Sequence, residues 1–219
     1  MPTPTDRGVG NKKDDTYDNL KDKFKKTNTL ISTLDGMAKQ FYDNPESALA
    51  IGGGVQFIDS VIKNIDAAGN MLSGKEYETM KDKGFISSDG TDYSTILEDV
   101  STNTGISASR VRDLAYLFAA ARGQEGRGLS DKDYENALSI VSGGVGAKGK
   151  IAVLNDVAKR MYGEAIGDLN FEISNLPSNA DVEPFERLRS SLSTFQNPYS
   201  INSQEIIQNT ETDDPLKIR

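Results

Sequence analysis

Residues 144–150, Gly-Val-Gly-Ala-Lys-Gly-Lys, have the spacing of a phosphate-binding loop, in which a glycine is followed by four residues and then Gly-Lys. In such a loop the backbone amides hold phosphates, the lysine reaches them, and a following Ser or Thr hydroxyl binds magnesium. Here Ile151 stands at the hydroxyl position, and no later apolar strand ending in Asp supplies a second magnesium ligand. The pattern therefore favours a turn between two helices over a nucleotide site.

Carboxylates are the other groups that could do chemistry. Residues 89–92, Asp-Gly-Thr-Asp, and 130–133, Ser-Asp-Lys-Asp, lack the alternating oxygen ligands, central glycine and closing glutamate of a calcium loop. Asp131 and Asp133 could also serve as an acid and base pair for glycan hydrolysis, but no aromatic-rich stretch accompanies them. Helix capping explains both segments better, and we predict no catalytic residue, no cofactor and no metal site.

The composition excludes several further classes of site. The chain has no Cys and no His, so it can form no disulfide, thiol nucleophile, imidazole base or zinc site of the usual kind. Its formal net charge of −8 opposes binding to phosphate backbones, and the lysines of 12–26 are interleaved with aspartates. We expect no specific nucleic-acid site. There is no apolar run of membrane-spanning length and no apolar signal-peptide core.

The elements that would position these residues are predicted to be helices throughout. Apolar residues recur at steps of three and four, and no run of alternating strand character interrupts them. The fold class predicted is an all-α bundle of about six or seven helices. Its predicted parts are a flexible polar arm at 1–15, an amphipathic helix at 16–44, a bundle at 45–195 and an extended tail at 196–219.

The apolar stripe of the first predicted helix contains Leu20, Phe24, Ile31 and Leu34. Such a stripe more often packs into a core than onto a partner. An oligomer interface is the alternative, because Asn44-Pro45 and the three glycines at 52–54 would let this helix swing away from the rest.

The glycine-rich turn at 123–128 is the most distinctive local feature. Ser130 with Asp133 resembles a capping box with Asp in place of Glu, and Leu129 is expected to pin the turn to the core. Arg122 and Arg127 flank the turn and are expected to tie it to nearby carboxylates or helix ends. We therefore expect Arg127→Ala to loosen this turn more than Lys150→Ala perturbs its own.

A family resemblance rests on the same region. The segment 111–133 reads Val-Arg-Asp-Leu-Ala-Tyr-Leu-Phe-Ala-Ala-Ala-Arg-Gly-Gln-Glu-Gly-Arg-Gly-Leu-Ser-Asp-Lys-Asp. It resembles a pattern of structural proteins of tailed bacteriophages, in which a Leu-Ala-Tyr helix ending in small residues and Arg leads into a Gly-Arg-x-Leu-Ser-x-x-Asp turn. With the double glycine at 143–144 and the stretch 44–55, the resemblance covers about 41–160. It implies a helical virion module, often part of larger internal or ejected proteins.

The resemblance gives the functional expectation. We expect a non-enzymatic virion protein, internal and ejected or associated with the portal, that contacts other virion proteins (portal, internal or tail components) through its helices. A homo-oligomer is expected, located in the virion and, during assembly, in the host cytoplasm. The alternatives are an acidic scaffolding or assembly protein and a host-directed regulatory binding protein made during infection. An enzyme that uses carboxylates or the loop at 144–150 is the weakest candidate.

Overall fold

A computed structural model describes residues 7–51, 54–72, 74–124, 128–143, 146–176 and 181–193, with side chains described only between 17 and 191. Within these ranges the backbone forms nine α-helices, and its only β-type pairing is an isolated bridge between Ile86 and Asp92. The predicted all-α bundle is confirmed.

The helices are α1 (Arg7–Asp43), α2 (Pro45–Ala50), α3 (Gly54–Gly69), α4 (Lys75–Lys81), α5 (Ser94–Thr104), α6 (Ala108–Ala121), α7 (Asp131–Ser142), α8 (Gly146–Ser174) and α9 (Glu183–Ser193). The count exceeds the predicted six or seven because α2 and α4 are only 6 and 7 residues long. Helices of this length are too short to show a periodic apolar pattern. Among the described residues, no helix has both the length and the hydrophobicity that a bilayer crossing requires.

Helix α1 is the longest element, and at 37 residues it extends about 55 Å. It begins at Arg7, so residues 7–15 are helical where a flexible arm was predicted. The rest of that arm, at 1–6, and the predicted tail at 196–219 lie outside the described residues. Helix α1 ends where the sequence predicted, because Pro45 occupies the first turn of α2 and cannot continue α1.

Helices α1 and α8 pack antiparallel along the bundle. Close to the midpoint of α1, Lys23 forms an ion pair with Asp168 in the second half of α8 at 2.5 Å. Beyond the end of α1, the α2 residue Ala48 is hydrogen-bonded by Lys150, in the first turns of α8. The remaining helices pack around this pair.

Helix α6 lies at the centre of the core, with 10 of its 14 residues buried. Its last residues are alanines, which let α1 approach closely enough for the Thr27 hydroxyl to donate a hydrogen bond to the Ala121 carbonyl at 2.8 Å. Thr27 is itself buried. The small side chains of α6 therefore determine how closely α1 packs against it.

The stripe on α1 is buried inside this chain. Ile31 and Leu34 belong to the main core cluster, whereas Leu20 and Phe24 join a smaller cluster with Leu169 and its neighbours on α8 and α9. All four are at most 8% exposed. A partner could reach this face only if α1 left the bundle.

Candidate functional site

Arg122 is the residue that connects the turn after α6 to the two following helices. It occupies the C-cap position of α6, and its side chain is only 11% exposed. Its Nη1 lies 3.0 Å from Asp133 Oδ1 on α7, and its Nε lies 3.2 Å from Glu164 Oε2 on α8. We name Arg122, Ser130, Asp133 and Glu164 the Arg122 network. It joins three helices through one guanidinium.

Asp133 is fully buried, and its charge is compensated by several donors. Its Oδ1 faces Arg122, and its Oδ2 accepts a hydrogen bond from the Ser130 backbone N–H at 2.8 Å and another from the Ser130 hydroxyl at 2.7 Å. Together with the Ser130 side chain and the Asp133 backbone, these contacts form a capping box at the start of α7. The helix N-terminus also favours a negative charge at this position.

The turn before α7 is held by a second segment of the chain. Leu129 is buried, and its carbonyl accepts a hydrogen bond from the Ser88 backbone N–H at 2.6 Å. Asp89 Oδ2 accepts one from the Asp131 backbone N–H at 3.0 Å, and Asp131 Oδ1 accepts one from the Ser87 hydroxyl at 2.7 Å. Of the carboxylates considered for calcium or glycan chemistry, Asp89, Asp131 and Asp133 are hydrogen-bond acceptors that fix this turn. Asp92 accepts a hydrogen bond from the Ser94 backbone N–H at the start of α5. Within the described ranges, no group of three or more acidic side chains is arranged to hold a metal ion.

The structure brings four of the five turn residues singled out in the sequence into one place: Arg122, Leu129, Ser130 and Asp133. The fifth, Arg127, lies outside the described residues. The turn needs glycine on either side of 125–127, because Gly123 and Gly128 have φ angles of +69° and +104°.

The segment 144–150 falls at the junction of two helices, and its described residues, 146–150, form the first turns of α8. Helix α7 ends at Ser142, α8 begins at Gly146, and Lys150 is inside α8. Lys150 is only 5% exposed, its Nζ donates a hydrogen bond to the Ala48 carbonyl at 2.6 Å, and it lies 5.2 Å from the centre of the Phe57 ring. Burial lowers the pKa of its amine. Lys150 therefore connects α8 to α2 and does not extend towards a phosphate.

The burial of Lys150 bears on the expectation that Lys150→Ala perturbs its own turn less than Arg127→Ala loosens the turn at 123–128. The Lys150 side chain belongs to the core, so its removal affects packing as well as the turn. The sequence does contain a signal, since Lys150 is four and seven residues before the buried Leu154 and Val157 and therefore lies on the apolar face of α8.

A second buried polar group was also missed. Asp113 lies in the middle of the apolar helix α6 and is 9% exposed. It accepts a hydrogen bond from the Tyr77 hydroxyl of α4, and Arg110 Nη1 lies 3.7 Å from its other oxygen. Burial, and then this carboxylate, raise the pKa of Tyr77. The contact holds the short helix α4 against α6.

Two of the surface grooves are lined by residues that the structure describes. One, of about 490 Å³, lies between α7 and α8 and includes Asp156, Lys159 and Arg160 in its lining. The other, of about 560 Å³, runs along α1 from Lys21 to Thr33, and we name it the α1 groove. In the first groove the hydroxyls of Ser139 and Ser142 donate hydrogen bonds to backbone carbonyls four residues earlier in α7. In the α1 groove the hydroxyls of Thr29 and Thr33 do the same within α1.

Comparison with known proteins gives no relative: no family model, no curated protein and no solved structure matches the chain. The resemblance to phage structural proteins therefore rests on the sequence pattern of 41–160 alone.

Proposed function

We propose that this chain is a non-enzymatic structural protein of a tailed bacteriophage particle, internal and ejected with the genome or bound near the portal. It acts through helix-mediated contacts with other virion proteins and with copies of itself. The observation that carries the proposal is the order and spacing of the segment 111–133, which resembles the phage pattern across a helix, a glycine-rich turn and a capped second helix.

The physical roles of the residues in this segment support the proposal. The positions that define the pattern are those that build the turn: Arg122 forms the ion pairs, Leu129 is buried, and Ser130 with Asp133 caps α7. A pattern of this kind specifies a packed helix–turn–helix unit and not a reactive centre. Proteins that share the pattern would therefore share a structural module, as is expected of components that function by assembly.

The test is to measure the amount of this protein in three kinds of purified particle: immature procapsids, mature particles, and mature particles emptied by triggered genome release. The major shell protein serves as the internal reference for absolute quantification by mass spectrometry. An internal or ejected protein is present in mature particles and falls on release, whereas a portal-associated protein stays constant.

Two outcomes would replace the proposal. Presence in procapsids with loss from mature particles would make the chain a scaffolding protein, which the acidic and helical composition also fits. Absence from all three particles, with the protein remaining in the infected-cell lysate, would favour a host-directed regulatory protein.

A further inference from the structure

A row of polar side chains lies on the partly exposed side of α1, along the α1 groove. Its members follow one another at steps of four and three, which keeps them on one side of the helix: Lys21, Lys25, Asn28, Ser32 and Asp35. The first four line the groove, and Asp35 lies about one turn beyond Ser32. We name these five residues the α1 stripe. Steps of this kind give a helix a seam along which a second helix can pack.

The charges of the α1 stripe are arranged symmetrically about Asn28. Lys21 and Asp35 are each seven residues from Asn28, so a cation lies at one end, an amide at the centre and an anion at the other end. Within one copy the two charged residues are about 21 Å apart along the helix axis and cannot pair with each other. None of the ion pairs between described residues includes Lys21 or Asp35.

Two members of the α1 stripe are incompletely satisfied in a single copy. Asn28 Oδ1 and Asp35 Oδ1 are buried and receive no hydrogen bond from the described part of the chain. Burial also raises the pKa of Asp35, because it disfavours the charged carboxylate. Both side chains are partly exposed, and the terminal torsion of Asn and Asp is broad, so each can turn towards a donor on another molecule.

The α1 stripe is complementary to a second copy of itself in one orientation only. If the α1 helix of a second copy lies antiparallel, with the two Asn28 residues opposite each other, Lys21 of each copy lies opposite Asp35 of the other. A parallel pairing would instead place like charges opposite each other. The antiparallel arrangement follows from a two-fold axis through the Asn28 pair. A single asparagine in such a seam fixes the register and the oligomeric state.

We propose that two copies of this chain associate through the α1 stripe, with their α1 helices antiparallel and Asn28 at the two-fold axis. Lys21 of each copy pairs with Asp35 of the other, and the Asn28 amides donate to each other's Oδ1. The proposal rests on the self-association included in the proposed function and assigns a surface to it.

The dimer should be weak, because the contact is small. We expect a Kd of roughly 10–100 µM near physiological ionic strength, where the repulsion between two chains of net charge −8 is screened beyond about 8 Å. Melting experiments at protein concentrations well below this Kd report on the single copy.

Two charge reversals test the orientation. Lys21→Glu and Asp35→Lys should each raise the Kd of self-association about tenfold, because two attractive contacts become repulsive. An equal mixture of the two variants should recover the dimer, since every repulsive contact then becomes an ion pair. Sedimentation equilibrium of the full chain at about 5–500 µM measures each Kd. The controls Lys148→Glu and Glu98→Lys make the same changes in net charge at exposed positions outside the α1 stripe and should leave the Kd unchanged.

Disulfide trapping tests the register without altering any charge, because the chain has no Cys of its own. Asn28→Cys places two thiols at the two-fold axis. In the same register two Ser32→Cys thiols lie about 12 Å apart along the axis, beyond the roughly 7 Å between Cα atoms that a disulfide spans. The Asn28→Cys dimer should therefore form about tenfold faster than the Ser32→Cys dimer.

Three results would overturn the proposal. They are an unmodified chain that stays monomeric at about 0.5 mM, a mixture of the charge-reversed variants that associates no better than either alone, and equal trapping of the two Cys variants. The proposed place in the virion is decided separately by the copy number in particles. A dimer with the expected register, formed by a protein that particles lack, would support this interface and contradict the virion role.

Discussion

Replacement of Arg122 by methionine tests whether the Arg122 network holds three helices together. The substitution keeps an apolar stem of similar length but removes the partner of Asp133, which is fully buried. Loss of one partner from a buried ion pair costs about 3–5 kcal/mol. The two hydrogen bonds from Ser130 remain and partly compensate the Asp133 charge. We therefore expect the free energy of unfolding to fall by about 3 kcal/mol, the lower limit of this range.

The expected loss corresponds to a clear change in melting temperature. For a chain of this size, 1 kcal/mol shifts the Tm by roughly 2–4 °C, so Arg122→Met should lower the Tm by about 6–12 °C. Thermal and urea unfolding followed by circular dichroism measure the effect. The matched control is Arg187→Met, which removes an ion pair to Glu183 whose side chains are 75% and 68% exposed. An exposed pair of this kind contributes about 0.3–0.5 kcal/mol.

A double-mutant cycle isolates the ion pair from other effects of the substitution. Asp133→Asn keeps an acceptor for Ser130 but removes the buried charge, so the double variant with Arg122→Met should be more stable than the sum of the single losses predicts. The difference should be about 1–3 kcal/mol, as for residues in direct contact. Strict additivity, or an Arg122→Met loss as small as that of Arg187→Met, would refute the reasoning.

Four further substitutions test particular positions. Gly143→Ala should lower the unfolding free energy by about 1–3 kcal/mol in urea, because its Cβ would lie 2.7 Å from the Ser139 carbonyl oxygen. Gly163→Ala, in an open part of α8, should raise it by roughly 0.5–1 kcal/mol. Lys150→Ala should cost about 2 kcal/mol in the same assay, since it removes buried packing and the hydrogen bond to α2. Asp35→Asn should raise the Tm at pH 7, because burial raises the pKa of the carboxyl and disfavours its charged form. With the folded pKa above the unfolded one, that gain should shrink as the pH falls and vanish below the ordinary Asp pKa of 3.8.

For these predictions, the following results would contradict the physical reasons given. Equal stability of the Gly143→Ala and Gly163→Ala variants would show that the turn between α7 and α8 is not tightly packed. A Lys150→Ala variant as stable as the unmodified chain would contradict the burial of that amine. A gain from Asp35→Asn of the same size at pH 4 and pH 7 would mean that the charge of the carboxyl is not the cause.

The fold could be predicted largely from the period of the apolar residues. The steps of three and four in α1, α3 and α8 predict helices, and Pro45 and the pair Ser130 and Asp133 mark helix ends through local chemistry. The start of α1 could not be placed, because the polar residues 7–15 carry no apolar period although the structure continues the helix through them. Helix propensity and backbone hydrogen bonds are sufficient to continue a helix through such a segment.

The contacts of the Arg122 network divide into those that the sequence reveals and those that it does not. The capping box is local, because Ser130 and Asp133 are three residues apart. The Arg122 contact with Glu164 joins positions 42 residues apart, and the Lys150 contact with Ala48 joins positions 102 apart. Pairs of this separation are brought together by the packing of whole helices, so spacing in one sequence cannot reveal them.

The copy number of this protein in gradient-purified mature particles, measured against the major shell protein, tests the central claim most directly. The proposed function predicts a fixed copy number that is the same in independent preparations and survives repeated purification. Copy numbers that fall towards zero with each purification step, while the protein accumulates in the infected-cell lysate, would contradict it.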